Sequence, residues 1–325
     1  MERVFIIAEL GINHGGKVEL AEEMIRAAHR AGADAVKLQS FRATGLAHPR
    51  EAADQVALFS SVELSPADHH HLKQVADELG IELLSTPFDV EMVGMLEELG
   101  VGRYKIASGD LTNHPLIRAC AQTGKHLIIS TGMGTLKEAR RAGEVAREAG
   151  ASRVTLLHCV SLYPTPPGEA RLRRITRLAE LGFEVGYSDH TIGIHACLAA
   201  VALGARVLEK HFCLDKERQQ GPDIALSADP GELSALVRAV RELEEMLSAE
   251  PEQVSQAEQE VARIARRSLY FARDLPAGHE LREEDLIPLR PAGGISPDRI
   301  GEVVGRQLIR PVKAGDRVSW EDLSG

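Results

Sequence analysis

From residue 4 to about residue 247 one pattern keeps returning: a short β-branched run, a polar or glycine-rich tip, then an amphipathic helical stretch. The runs fall at 4–9, 35–39, 81–86, 104–108, 127–131, 154–159, 184–188 and 207–212. Helical stretches rich in Ala, Glu and Arg follow, as at 18–31, 66–79, 135–149 and 232–247. Gly32, Gly80, Gly100, Gly150 and Gly204 stand where helices end in a left-handed cap. A strand, a helix and a second strand joined this way lie parallel. Eight such units within about 245 residues fit a closed (β/α)8 TIM barrel better than an open sheet. The barrel is therefore expected over 1–248.

A barrel of this kind gathers its chemistry at the carboxyl ends of its strands. Reading those positions gives Glu9, Asn13 and His14, then Lys37 and Gln39, then Ser85, Thr86 and Asp89. Lys105, Ser108 and Asp110 follow, then Ser130 and Thr131, then His158, Ser161 and Tyr163. Ser188, Asp189, His190, Glu209, Lys210, His211 and Asp223 complete the ring. A purely structural protein has no reason to set polar groups at the same end of every strand. His190 and His211 end adjacent strands, a geometry that lets two imidazoles share one metal ion or one substrate and leaves coordination positions open. Residues two apart share a strand face, so Lys37 pairs with Gln39, Ser188 with His190, and Glu209 with His211. Lys210 then points toward the helix layer, as a structural ion-pair partner or as a site residue, and Asp189 shares that ambiguity. Lysines inside a barrel are costly unless paired, so Lys37 and Lys105 are expected to bind an anion. Hydroxyls at Ser108, Ser130, Thr131 and Ser188 can complete a phosphate or carboxylate site. Asp68 to His71, at a helix start, is expected to be a solvated surface.

A net charge of −10 argues against nucleic-acid binding and requires locally focused cations for an anionic substrate. The amino terminus lacks a basic segment before an apolar one, and no apolar run reaches membrane-spanning length. The four cysteines show no C-x-x-C spacing and suit buried, reduced thiols of a cytoplasmic protein. Residues 249–266 are expected to form a helical linker. From 267 to 325 the texture changes to short strands with Pro and Gly punctuation. Two phrases, at 274–278 and 310–315, are each followed by Glu-Asp-Leu, an internal repeat that suggests a compact second module.

The phrases AELGINHGG (8–16), VKLQSF (36–41), STPFD (85–89), KIASGD (105–110), ISTGM (129–133), LLHCVSLYPTP (156–166), GYSDHT (186–191), LEKHF (208–212) and GPD (221–223) resemble the sialic acid synthase family. That family comprises N-acetylneuraminate synthases and their legionaminate, pseudaminate and spore-coat relatives. The tail, with LRPAGGIS (289–296), resembles the family's small, mostly β antifreeze-like (SAF) domain. The resemblance implies a carbon–carbon bond-forming transferase that condenses phosphoenolpyruvate with an open-chain N-acetylhexosamine aldehyde, foremost N-acetylmannosamine, and releases phosphate. It implies His190 and His211 as ligands of a divalent manganese or magnesium ion, and Glu9, Asp110 and His211 as the catalytic set. Lys37, Thr86, Lys105, Ser108, Ser130, Ser161 and Ser188 correspond to phosphoenolpyruvate-binding positions. Gln39, Tyr163 and Asp223 correspond to sugar-contacting ones. It further implies a homodimer with swapped C-terminal domains, in which Arg290 reaches the partner's sugar. Two departures stand out: Asp110 replaces a Glu found in many members, and Ser161 replaces an Asn found in some bacterial ones.

Overall fold

A computed structural model describes residues 3–248 and 253–324. The eight strands are β1 (Phe5–Glu9), β2 (Ala35–Ser40), β3 (Glu82–Pro87), β4 (Arg103–Ile106), β5 (His126–Ser130), β6 (Val154–Cys159), β7 (Glu184–Asp189) and β8 (Val207–His211). All pair in parallel with their chain neighbours, and β8 closes on β1 with Glu9 opposite His211. The barrel is the one expected from the eightfold periodicity. Its helices start where capping chemistry allows: Ser65 and Asp68 form a capping box on Pro66–Leu79, and Thr135 and Glu138 one on Leu136–Glu148. Gly32, Gly80 and Gly100 end their helices at positive φ, while Gly150 and Gly204 take positive φ one place beyond the cap.

The two faces of each strand have separate tasks. One packs Ala, Val, Leu and Ile against the helix layer. The other closes the barrel floor with Ile7, Ala35, Leu84, Ile128, Leu157 and Val207, with Phe5 packed beneath. Advancing two residues along the same face replaces Ile7 by Glu9, Ala35 by Lys37, Leu84 by Thr86, Ile128 by Ser130 and Val207 by Glu209. A polar layer thus sits directly on an apolar plug. On β7 the plug position is Gly186, where a Cβ would lie 2.5 Å from Leu157 Cδ2 and 2.4 Å from the Val207 carbonyl oxygen. No side chain fits there, so the strand reaches its inward polar residue, Ser188, across a glycine.

Residues 249–252 of the expected linker lie outside the described residues, and much of its remainder forms the helix Gln256–Ala265. The chain divides into two compact units at this point. The second unit pairs β9 (Ser268–Phe271) antiparallel with β10 (Leu286–Leu289) around Leu269, Phe271, Leu281, Val303 and Val318. Its internal repeat has a physical basis. Asp285 and Asp322 are both buried and cap equivalent short turns, Glu283–Asp285 and Trp320–Asp322. Arg273 Nε donates to Asp285 at 2.7 Å, and Arg310 Nε donates to Asp322 at 2.7 Å.

Burial alone would raise the Asp285 carboxyl. Hydrogen bonds from His279, the Arg282 N–H and Arg273 outweigh it and hold the group at about 2. A carboxylate depressed in the folded state adds stability above its ordinary pKa of about 4, and that stability drains away as pH falls toward 2. Thermal melts of the full chain and of Asp285→Asn are therefore expected to differ clearly at neutral pH and to converge near pH ~2. A gap that stays constant with pH would contradict this role.

Candidate active site

The inward polar layer lines a cavity of about 490 Å³ at the carboxyl end of the barrel. Glu9, Lys37, Gln39, Thr86, Lys105, Ser108, Ser130, Ser161, Tyr163, Ser188, His190, His211 and Asp223 all reach it. Asp110 does not. It sits on the short turn Ser108–Asp110, accepts from Asn113 Nδ2 at 2.9 Å, and has its carboxyl pushed up by burial. Arg290 lies in the second unit, just after β10 and before Pro291.

Glu209 is the hub of the cavity floor. Its carboxylate accepts from Ser188 Oγ at 2.7 Å and lies 3.5 Å from Lys105 Nζ and 3.7 Å from Lys37 Nζ. Lys37 also pairs with Glu9 at 2.7 Å and donates to Thr86 Oγ1 at 2.9 Å. Gln39 Nε2 donates to the second oxygen of Glu9 at 3.0 Å. Buried charges persist only when compensated this way. Burial opposes ionisation of Glu209, but Lys105, Lys37 and the Ser188 hydroxyl outweigh it and hold the carboxyl at about 2. Glu9 moves the other way, pushed up by burial and by Glu209 against the pull of Lys37. Burial lowers Lys105, whereas for Lys37 the two carboxylates overcome burial and raise it.

On the β4–β6 side, serine hydroxyls surround Gly132. A Cβ at that glycine would stand 2.4 Å from Ser161 Oγ and 2.7 Å from Ser108 Oγ. The Gly132 N–H donates to Ser108 Oγ at 3.0 Å. Ser130 Oγ and Ser161 Oγ are buried without a hydrogen-bond partner. Buried hydroxyls are seldom left so, and with Lys105 lining the same cavity they form a ready cradle for an anion.

On the β7–β8 side the rings of His190 and His211 stand 5.3 Å apart, and Tyr163 packs 4.1 Å from His190. His190 Nδ1 is 2.7 Å from the Val160 carbonyl, which can only accept, so Nδ1 carries the proton and Nε2 is left to meet a ligand. Burial opposes protonation of His190, but Cys159 and this carbonyl outweigh it and raise the ring's pKa. His211 is held well below the ordinary imidazole value by burial and then by His190, and its buried Nδ1 has no hydrogen-bond partner. The Asp223 carboxylate, pushed up by burial, stands 3.7 Å from that nitrogen. Oriented imidazoles suit a divalent cation, and the lowered His211 is the one whose surroundings favour the neutral, metal-binding form. Among the described residues no group of three or more His, Cys, Asp or Glu forms a metal-holding set, so the two histidines would be the protein's own donors and the remaining positions would stay open.

The rest of the strand-end ring faces elsewhere. Lys210 Nζ is 2.9 Å from Asp189 Oδ2, fully buried toward the helix layer, which resolves both residues as a structural pair. His158 faces Ala170, and Asp89 caps the helix Val90–Leu99. Ser85 bonds Ser40, which bonds His69 Nε2 at 2.8 Å. The expected solvated face at Asp68 to His71 holds at His70 and His71, which are exposed, but not at His69, which is 2% exposed and anchors its helix to β2. The helix Ala53–Val62 between β2 and β3 was not anticipated. Phe59 on it packs edge-on to Phe41 at 5.4 Å, and Leu58, Phe59, Phe88 and Ile12 give the cavity an apolar wall. Arg42 is largely exposed and sits 3.8 Å from Glu91, outside the cavity lining.

Comparison with known proteins gives the same outline. Residues 24–252 match the family model described as NeuB family, and 266–324 match the SAF domain. The chain is 40% identical to N,N'-diacetyllegionaminic acid synthase of Legionella pneumophila, over 98% of this chain and 94% of that protein. It is 32% identical to human N-acetylneuraminate-9-phosphate synthase, over 98% and 92%. Among solved structures, the sialic acid synthetase of Leptospira borgpetersenii, in complex with citrate, superposes with a TM-score of 0.76 at 37% identity, covering 80% of this chain and 90% of that one.

The glycine at 132 gives a direct test of the anion cradle. In Gly132→Ala the serines can rotate away, so the fold should survive, but their hydroxyls would no longer converge. Affinity for inorganic phosphate, measured by calorimetry, is expected to fall about tenfold or more, the scale of one or two lost hydrogen bonds, while the melting midpoint stays nearly unchanged. Undiminished phosphate binding would remove the cradle.

Proposed function

The chain belongs to the NeuB family and is a nonulosonic acid synthase of that family, and from this premise we propose that it condenses phosphoenolpyruvate with the open-chain aldehyde of an N-acetylated amino sugar. The observation that carries the proposal is the pairing, in one cavity, of the serine–lysine cradle with the two imidazoles. Lys105, Ser108, Ser130 and Ser161 take the phosphate, and Lys37, Thr86 and Ser188 fix the rest of phosphoenolpyruvate over the barrel plug. Gln39, Tyr163 and Asp223 contact the sugar. His190 and His211 would hold a manganese or magnesium ion, which when bound would polarise the aldehyde oxygen.

C3 of phosphoenolpyruvate attacks the aldehyde carbon, forming the new carbon–carbon bond, and the aldehyde oxygen gains a proton. Water adds at C2 and loses a proton. The bond between C2 and the phosphate's bridging oxygen then breaks, the C2 hydroxyl gives up its remaining proton to the departing phosphate, and C2 is left as a carbonyl. Glu9, whose carboxyl burial keeps able to carry a proton, lies beside both Lys37 and Gln39 and is the proton-handling group at that junction. Glu9 and Glu209 interact through Lys37, so their titration belongs to the pair. Asp110 acts from outside the cavity wall, through the turn that positions Ser108.

For the sugar, the greater identity to diacetyllegionaminate synthases than to N-acetylneuraminate-9-phosphate synthases favours a diacetamido sugar beside N-acetylmannosamine. The position of Arg42 outside the cavity lining, paired with Glu91, favours a sugar without phosphate. The second unit serves in a swapped homodimer, with Arg290 reaching the partner's sugar. The helix Gln256–Ala265 buries none of its residues and exposes Val261 and Ile264, as a segment awaiting a second chain would.

Phosphate release from phosphoenolpyruvate should be followed with N-acetylmannosamine, its 6-phosphate, and the diacetamido precursors of legionaminate and pseudaminate. Release with at least one aldose is expected, abolished by chelation and restored by manganese. No release with any of them would overturn the synthase assignment.

A further inference from the structure

Asn13 belongs to the strand-end ring, yet it lies outside the cavity lining and the proposed chemistry does not use it. It is 1% exposed, and its side-chain amide is committed to two partners. Nδ2 donates to the Phe212 carbonyl at 2.8 Å and to Ser227 Oγ at 2.9 Å. Ser227 Oγ in turn donates to the Asp223 carbonyl at 2.7 Å, and the Ser227 N–H donates to the same oxygen at 3.1 Å. From the other side, Gln219 Nε2 donates to the Asn13 carbonyl at 3.0 Å, while its Oε1 accepts from the Asp215 N–H at 3.0 Å. The segment after β8 is thus tied at Gln219 and at Ser227 to a single residue of the β1 loop. Between these ties lies Asp223, with its carboxylate 3.7 Å from His211 Nδ1.

Resting on the synthase reading above, we propose that Asn13 is a positioning residue for the aldose: its amide clamps the 213–227 segment so that Asp223 is held against His211. Only a side chain offering two N–H donors from one short stem can bridge a carbonyl and a hydroxyl here. Asp has the same shape but turns both donors into acceptors facing the Phe212 carbonyl. The anion cradle stands on β4–β6, across the barrel from this clamp, so loosening the clamp should disturb the sugar and spare phosphoenolpyruvate.

Two variants test this in the full chain. Asn13→Asp inverts the clamp, and Ser227→Ala, a milder change, removes only the link between Asn13 and Asp223. Hydrogen exchange in the ligand-free protein is expected to quicken about tenfold across 213–227 in both, with the strands unchanged. With N-acetylmannosamine and with the diacetamido precursor of legionaminate, KM for the aldose should rise about tenfold while KM for phosphoenolpyruvate stays within about twofold. Unaltered exchange across 213–227 would overturn the clamp. Quickened exchange with both KM values moving together, or with neither moving, would overturn the positioning role. If the wild-type chain turns over none of the aldoses, the synthase reading fails by itself, and the exchange measurement still decides whether the clamp exists.

Discussion

Four buried charges at the centre of the barrel hold one another in place. Lys37 and Lys105 could not remain buried and charged above an apolar plug without Glu209 between them, and Glu209 could not stay ionised without the lysines. Glu9 extends the network to β1 and Gln39. The set spans β1, β2, β4 and β8, so it exists only once the barrel has closed. Lys105 lines the same cavity as two buried hydroxyls, Ser130 and Ser161, that have no partner in the protein, which puts binding capacity at one side of it. The imidazoles, held by the Val160 carbonyl and by burial, occupy the other.

The period of two along each strand connects stability with chemistry. Ile7, Ala35, Leu84, Ile128 and Val207 seal the floor, and the residues two places onward carry the polar work. A one-residue slip of any strand would turn its polar inward group toward the helix layer and bring a helix-facing residue into the cavity. The same alternation consigns Lys210 and Asp189 to the outer layer, where they pair as a buried structural contact.

Much of this was legible in the sequence because it follows from periodicity. Eight β-branched runs at barrel spacing placed every strand within one or two residues, and counting by two along them led to the cavity-lining groups. Asp110 shows where counting stops: it follows a strand, but a 3₁₀ turn carries it off the wall. His69 was misread because three consecutive histidines at a helix start look solvated, whereas one position in each turn must face inward. The helix Ala53–Val62 was missed because its apolar residues lack helical spacing, and it is held instead by the aromatic contacts of Phe59 and Phe41. The partners of Asn13 lie some 200 residues away, a pairing that no local pattern reveals.

The most direct test of this account is Glu209→Gln, which keeps the shape of the hub and removes its charge. With the shared carboxylate gone, the two lysines face each other with Glu9 as their remaining counter-charge. Phosphate release from phosphoenolpyruvate with the preferred aldose is then expected to fall by about a hundredfold or more, with the barrel still folded. Wild-type turnover in Glu209→Gln would contradict the claim that this carboxylate organises the site.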